Sequence, residues 1–103
     1  MDYQKNAKMI KAMADPNRLK IIDILSCGTM CACDILENFD FTKPTLSHHM
    51  KVLQEANIVT AEKNGKWQNY TLDPQFIKQL PLFTYNLLKS DENCICHQKK
   101  ATN

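Results

Sequence analysis

Cys31-Ala32-Cys33-Asp34 gathers two thiols and a carboxylate within four residues. Thiolates are soft donors and select soft ions. The sequence predicts a helix starting at Thr29, which puts this pair on its first turn. There the free N–H groups and the helix dipole favour the thiolate form. Residues i and i+2 point about 200° apart on a regular helix, so holding one ion between both sulfurs should distort that turn. Cys27 completes a three-thiolate site if the loop bends back; with equal weight, it is a small residue buried at a helix end. The pattern is not that of structural zinc, which uses C-x-x-C pairs and four ligands. Cys94-Ile95-Cys96 repeats the C-x-C spacing near the C-terminus and can bind metal, cover the first pair, or do neither.

Five cysteines is an odd number, and the N-terminal stretch has no secretory hydrophobic region. The expectation is therefore a cytoplasmic protein with free thiols rather than a disulfide framework. The length of 103 residues, with 44% apolar and 23% charged residues, fits one globular domain. A domain of this size buries only about two-thirds of its unfolded surface, so a core shared in a dimer would help it. No run of about 18 apolar residues is present, which excludes a membrane span.

The elements that position the cysteines follow from periodicity and caps. Residues 3–14 read as a helix with Ala7, Ile10 and Ala14 on one side and Met9 and Met13 beside them. Asp15-Pro16 is an N-cap followed by proline in the first turn. It opens a second helix carrying Leu19, Ile21, Ile22 and Leu25, ended by Gly28. The third helix is expected from a Thr29 cap to about Phe39. After a turn at Asp40-Phe41, Thr42 caps a fourth helix with Pro44 in its first turn and Leu46, Met50 and Leu53 as its buried stripe. Asn57 is a left-handed stop. The strand-like runs 58–62 and 67–72 flank Asn64-Gly65, a hairpin signal in which both turn residues take positive φ. Asp73-Pro74 repeats the capped start. Pro81 predicts a break, with a short turn over 74–80 and a helix over 81–89.

This order of elements is that of a winged helix-turn-helix, mainly α with a β-hairpin wing. In such folds the second helix of the pair enters a DNA major groove and the hairpin reaches the flanking backbone. The exposed side of the fourth helix offers Lys43, Thr45, Ser47, His48 and Lys51, and no acidic residue occurs from Thr42 to Gln54. Lys63 and Lys66 flank the wing tip. These short polar and basic groups suit phosphates and base edges; the bland alternative is a solvated helix and an ordinary hairpin. Net charge is only +2, distributed as +3 over residues 1–22, −4 over 23–40 and +2 over 41–66. His49 falls nearer the buried stripe than His48 and is expected as a packed, hydrogen-bonded core histidine.

Together, the runs Ala14-Asp15-Pro16-Asn17-Arg18-Leu19, Met30-Cys31-Ala32-Cys33-Asp34-Ile35-Leu36, Lys43 to Leu53 and Asn64-Gly65-Lys66 resemble the ArsR/SmtB metalloregulatory repressors over nearly the full chain. The resemblance implies a homodimer formed through the first and last helices that represses an operon by binding an imperfect inverted repeat. No cofactor is required; trivalent arsenic or antimony acts as inducer and releases the DNA. Carried onto this chain, the inducer ligands are Cys31 and Cys33 with Cys27 as a third candidate. The DNA contacts are Lys43, Thr45, Ser47, His48, Lys51, Lys63 and Lys66. Arg18 matches a family position and is as readily structural as DNA-facing. Residues 1–90 form the DNA-binding and dimerisation domain and 91–103 a flexible cysteine-containing tail.

The sequence departs from relatives that sense cadmium or lead, since no cysteine precedes Cys27. It also departs from zinc sensors, since residues 81–90 hold neither Asp nor His. A thiol-redox or persulfide sensor, or a cadmium or lead sensor, of the same fold remains an alternative. So does a soft-metal buffer that binds no DNA, although a buffer has no use for a wing. A thiol oxidoreductase is disfavoured because the chain lacks both C-x-x-C and an alternating strand–helix pattern.

Overall fold

The computed structural model describes residues 2–89. The chain runs α1 (Tyr3–Met13), α2 (Pro16–Leu25), β1 (Met30–Cys31), α3 (Ala32–Leu36), α4 (Lys43–Glu55), β2 (Val59–Asn64), β3 (Trp67–Leu72) and α5 (Pro74–Leu88). The three strands pair antiparallel in the order β1-β3-β2, and the whole is a winged helix-turn-helix. The expected tail at 91–103, with Cys94 and Cys96, lies outside the described residues.

Local chemistry accounts for the well-defined starts and stops. The Asp15 carboxylate accepts from the backbone N–H of Asn17 at 2.9 Å and of Arg18 at 3.1 Å. The second of these is the main reason its pKa lies below the ordinary carboxylate value. Asp73 caps α5 in the same way through the Gln75 N–H at 2.8 Å. Asn57 takes φ 61° and turns the chain from α4 into the wing, as short polar side chains tolerate. Leu46, Met50 and Leu53 are fully buried and pack with Ile21, Leu25, Ile35, Ile58 and Leu72. Truncating any one of the α4 three to alanine should cost about 2–5 kcal/mol, so this stripe anchors the helix that carries the basic side chains.

Three expectations are corrected. The third helix does not start at Thr29. Met30 and Cys31 are extended and pair with Tyr70 and Asn69 of β3, and Thr29 Oγ1 sits 2.8 Å from Thr71 Oγ1. Helix α3 is thus five residues, 32–36, with Cys31 as its N-cap. Sheet pairing to β3 outcompetes one further helical turn, because the wing needs a third strand to cover its inner edge. At the wing tip, Asn64 pairs with Trp67, so the two turn residues are Gly65 and Lys66. Only Gly65 has positive φ there, at 66°, which is the glycine-first form of a two-residue hairpin turn. Helix α5 is continuous through Pro81. Proline removes one N–H, but Ile77 and Pro81 both lie on the exposed side, where the freed carbonyl can turn to water. The apolar side of α1 read from the sequence, Ala7, Ile10 and Ala14, faces outward, whereas Ala12, Met9 and Met13 pack inward. The apolar stripe read from the sequence is real but is not buried within one chain.

Candidate functional site

Three groups converge where α3 meets β1. Ligand atoms of Cys31, Cys33 and Asp34 lie within 4.8 Å of one another. Among the described residues this is the group of at least three such side chains suited to holding a soft ion. Cys31 occupies the extended N-cap position with φ −77° and ψ 157°, so it does not follow the helical 100° step. The Cys31 and Cys33 Cα atoms are 5.4 Å apart, the ordinary i to i+2 spacing of a helix, so it is the extended backbone at Cys31 and not a shortened Cα separation that turns the two sulfurs toward each other. The expected obstacle to chelation therefore disappears: no helical turn has to unwind, because the first sulfur already stands outside the helix. The helix-dipole argument also weakens, since α3 has a single turn.

The structure joins Cys31 and Cys33 as a disulfide, where the sequence predicts free thiols. Adding two electrons and two protons gives a dithiol on the same backbone spacing. Cys31 Sγ accepts the Asp34 N–H at 3.4 Å, and Asp34 Oδ1 lies 3.9 Å from Cys33 Sγ. Two sulfurs and one carboxylate suit a trivalent soft ion better than zinc, which in structural sites takes four ligands. Cys27 is an exposed free cysteine past the end of α2 and is not among the clustered groups.

The basic side chains are presented as expected. Lys43, Ser47, His48 and Lys51 are exposed on α4; Lys43, Ser47 and Lys51 follow the i, i+4, i+8 row that shares one face. Thr45 is half-buried, its Oγ1 3.3 Å from Thr42 Oγ1, so it sits at the margin of that face. Lys63 and Lys66 are exposed on the wing. A cavity connects the two halves of the site: Cys33 and Leu36 of α3 line it together with Lys43 and Ser47 of α4 and Lys66 and Trp67 of the wing. Trp67 is a wall of this cavity that sequence reasoning missed. The available signal was a lone tryptophan directly after the hairpin turn.

His49 is buried, as predicted, and packs beside the Phe41 ring at a centroid distance of 5.5 Å. Arg18 resolves to a structural role. Its Nε donates to the Ala12 carbonyl at 2.6 Å and its Nη1 lies 3.1 Å from His49 Nδ1. A guanidinium only donates, so Nδ1 accepts and the imidazole is neutral with its proton on Nε2. Arg18 thereby ties the end of α1 to α4. Burial pushes the His49 pKa below 6.5; the Asp15 carboxylate opposes this, and Arg18 and His48 add to it. The unfolded chain then takes up this proton first on acidification. The contribution is fully present above pH about 6.5 and is lost as pH falls through the lower folded-state value. Urea midpoints should drop between pH 7.5 and 5.5, and His49→Gln should flatten that slope; an unchanged slope would exclude His49 as its source.

Residues 15–61 match the bacterial regulatory proteins of the arsR family. The chain is 43% identical over 101 residues to the arsenical resistance operon repressor of Staphylococcus xylosus, covering 98% of this chain and 97% of that protein. The chain belongs to the ArsR family. It is 39% identical over 102 residues to the arsenical resistance operon repressor of Staphylococcus aureus, covering 98% and 97% of the two chains. Among solved structures it is similar to one described as a possible transcriptional regulator for arsenical resistance, with a TM-score of 0.73 and 26% identity over 92% of this chain and 94% of that one. ArsR proteins are transcriptional regulators rather than enzymes. No helix among the described residues is long and apolar enough to cross a membrane.

Proposed function

We propose that this ArsR protein is a dimeric repressor of an arsenical resistance operon, released from its operator when trivalent arsenic or antimony binds Cys31 and Cys33. The observation that carries the reading is the position of the thiol pair. Cys31 is paired through its backbone to Asn69 of the wing strand β3, and Cys33 stands on α3, which packs against α4. An ion bound there acts on the wing and on the recognition helix at once.

Arsenite binding is an exchange without redox change. Each As–OH gives way to As–S, and the thiol proton leaves with the hydroxide as water. With two protein sulfurs, the third arsenic valence keeps hydroxide, with Asp34 beside it. The N-cap sulfur that accepts the Asp34 N–H becomes a ligand instead, and the β1–β3 pairing and the start of α3 adjust to it. The bound inducer shifts the population away from the DNA-competent arrangement by its differential affinity for the two. This replaces helix unwinding by a shift at the strand–helix junction.

The dimer reading is supported by the apolar face that one chain leaves uncovered. Ile10 is 42% exposed, Leu19 50%, Tyr85 62% and Leu88 82%. Ile10 and Leu19 share an apolar groove with Leu80 and Pro81 of α5. Contiguous apolar surface of this kind marks an interface, and a two-fold axis through it would present two recognition helices to half-sites about 34 Å apart.

The DNA reading is tested with a labelled duplex from upstream of the protein's own gene. Affinity should fall steeply between about 50 and 200 mM salt. Lys43→Ala should weaken specific and non-specific binding alike and make the salt dependence shallower by about one counterion per lysine removed. Salt-independent or absent binding would return the protein to the soft-metal buffer alternative.

A further inference from the structure

Two hydrogen bonds from one side chain run from the uncovered apolar face to the helix that carries the basic residues. Arg18 directly precedes Leu19, which stands in the groove shared with Ile10, Leu80 and Pro81. The Arg18 Nε donates to the carbonyl of Ala12, in the last turn of α1, at 2.6 Å. Its Nη1 donates to His49 Nδ1, on the inner side of α4, at 3.1 Å. His49 is buried, with its ring beside that of Phe41 just ahead of α4. The next ring outward is that of exposed His48, 6.0 Å away. A guanidinium presents its donors in a rigid planar fork. It therefore fixes the angle between the elements it joins as well as their distance.

An operator built as an inverted repeat reads that angle. Two half-sites about 34 Å apart must meet two recognition helices at once, so each helix has to keep a fixed attitude to the two-fold axis. A single half-site makes no such demand. We propose that Arg18 and His49 are positioning residues for operator binding: together they set the angle of the recognition helix to the dimer face, and a proton on His49 releases it. The inference rests on the dimeric, operator-binding reading above. Nδ1 accepts from Arg18 only while the imidazole is neutral. A proton taken from solvent onto Nδ1 sets N–H against N–H and cation against cation, and this bond opens while the one to Ala12 remains. The charged groups around the imidazole are the Asp15 carboxylate that caps α2, the Arg18 guanidinium and His48 of α4. Burial acts most strongly and lowers the His49 pKa below 6.5; Asp15 opposes it, and Arg18 and His48 add to it. Release thus belongs to the acidic side of that value. Charging of the exposed His48 has the opposite sign, because it adds a cation to the face that meets phosphates.

The test uses the full, phosphine-reduced chain and two labelled duplexes. One is taken from upstream of the protein's own gene, and the other is the same duplex with one arm of the inverted repeat scrambled. Anisotropy gives the full-to-half affinity ratio at pH 7.5 and pH 5.5 at constant ionic strength, and sedimentation of the same samples reads the dimer. In the wild type the ratio should fall by about tenfold or more at the lower pH, the worth of one hydrogen bond to a charged group, with the dimer retained. His49→Asn places an Oδ1 acceptor where Nδ1 stood and does not titrate, so it should keep the ratio high at both pH values. His49→Leu offers no acceptor, and the single ammonium of Arg18→Lys cannot fork; both should give the low ratio at either pH. The proposal is overturned by a wild-type ratio that does not fall, by a fall that accompanies dissociation of the dimer, by an equal fall in His49→Asn, or by a high ratio in both His49→Leu and Arg18→Lys. Failure of the operator reading looks different: the wild type then shows no advantage of the full duplex even at pH 7.5, and the positioning role falls with it.

Discussion

The double variant Cys31→Ser with Cys33→Ser should bind the duplex as the wild type does and should not let go of it at any arsenite concentration that releases the wild type. The concentration for half-release is expected to rise by about 100-fold or more, because chelation by two tethered donors is worth about 10²–10⁴ over a single one. Serine is a suitable replacement on physical grounds. Cys31 is the N-cap of α3 and its sulfur accepts the Asp34 N–H; a serine hydroxyl fills that position at least as well. The substitution removes soft donors and keeps the helix start. Each single variant should lose most of the response, since one remaining thiolate cannot chelate. Anisotropy of the labelled duplex during arsenite titration reads this directly. A double variant that is released as readily as the wild type would place the inducer elsewhere, with Cys27 the next thiol to remove.

The second large effect concerns the uncovered apolar face. Ile10→Glu combined with Leu19→Glu should give a folded monomer that has lost about 10²–10⁴ in operator affinity, since two half-sites no longer act together. Both side chains are exposed in one chain and glutamate is a good helix former. Chain stability should therefore stay within about 0.5 kcal/mol of wild type when the monomer is compared. Sedimentation of the reduced protein at micromolar concentration, beside duplex binding of the same sample, separates the two properties. A variant that sediments as a monomer and binds with wild-type affinity would refute the dimeric reading.

Much of the fold was legible because short-range chemistry decides it. Asp15-Pro16 and Asp73-Pro74 could only open helices, and the Leu46, Met50 and Leu53 row could only face inward. What local rules missed was settled by pairing across the chain. Nothing in Thr29-Met30-Cys31 announces a strand until β3 is there to receive it, and Tyr70 and Asn69 lie some forty residues on. That one displaced boundary changes the chemistry, because it moves Cys31 out of the helix and brings its sulfur round to Cys33. Pro81 misled in the opposite direction: proline's penalty is real, but an exposed helical face can absorb it. The Ala7, Ile10 and Ala14 stripe was legible as the apolar side of α1, but periodicity identifies a face and not what covers it, and one chain leaves this face exposed. The basic residues of α4 and the wing were legible by type and order. The cavity joining them to Cys33 depends on how α3, α4 and β3 pack and has no sequence signature.

The central claim, that the reduced Cys31–Cys33 pair controls DNA release, is tested most directly on one preparation in two redox states. Operator-bound protein is titrated with arsenite after reduction by a phosphine, and in parallel with the disulfide left intact and the phosphine absent. Reduced protein should release the duplex as arsenite approaches one equivalent per chain, while the disulfide form, having no thiols at the pair, should not respond to the metalloid. Retention of the duplex by the reduced protein in excess arsenite, or equal release from both forms, would contradict the account.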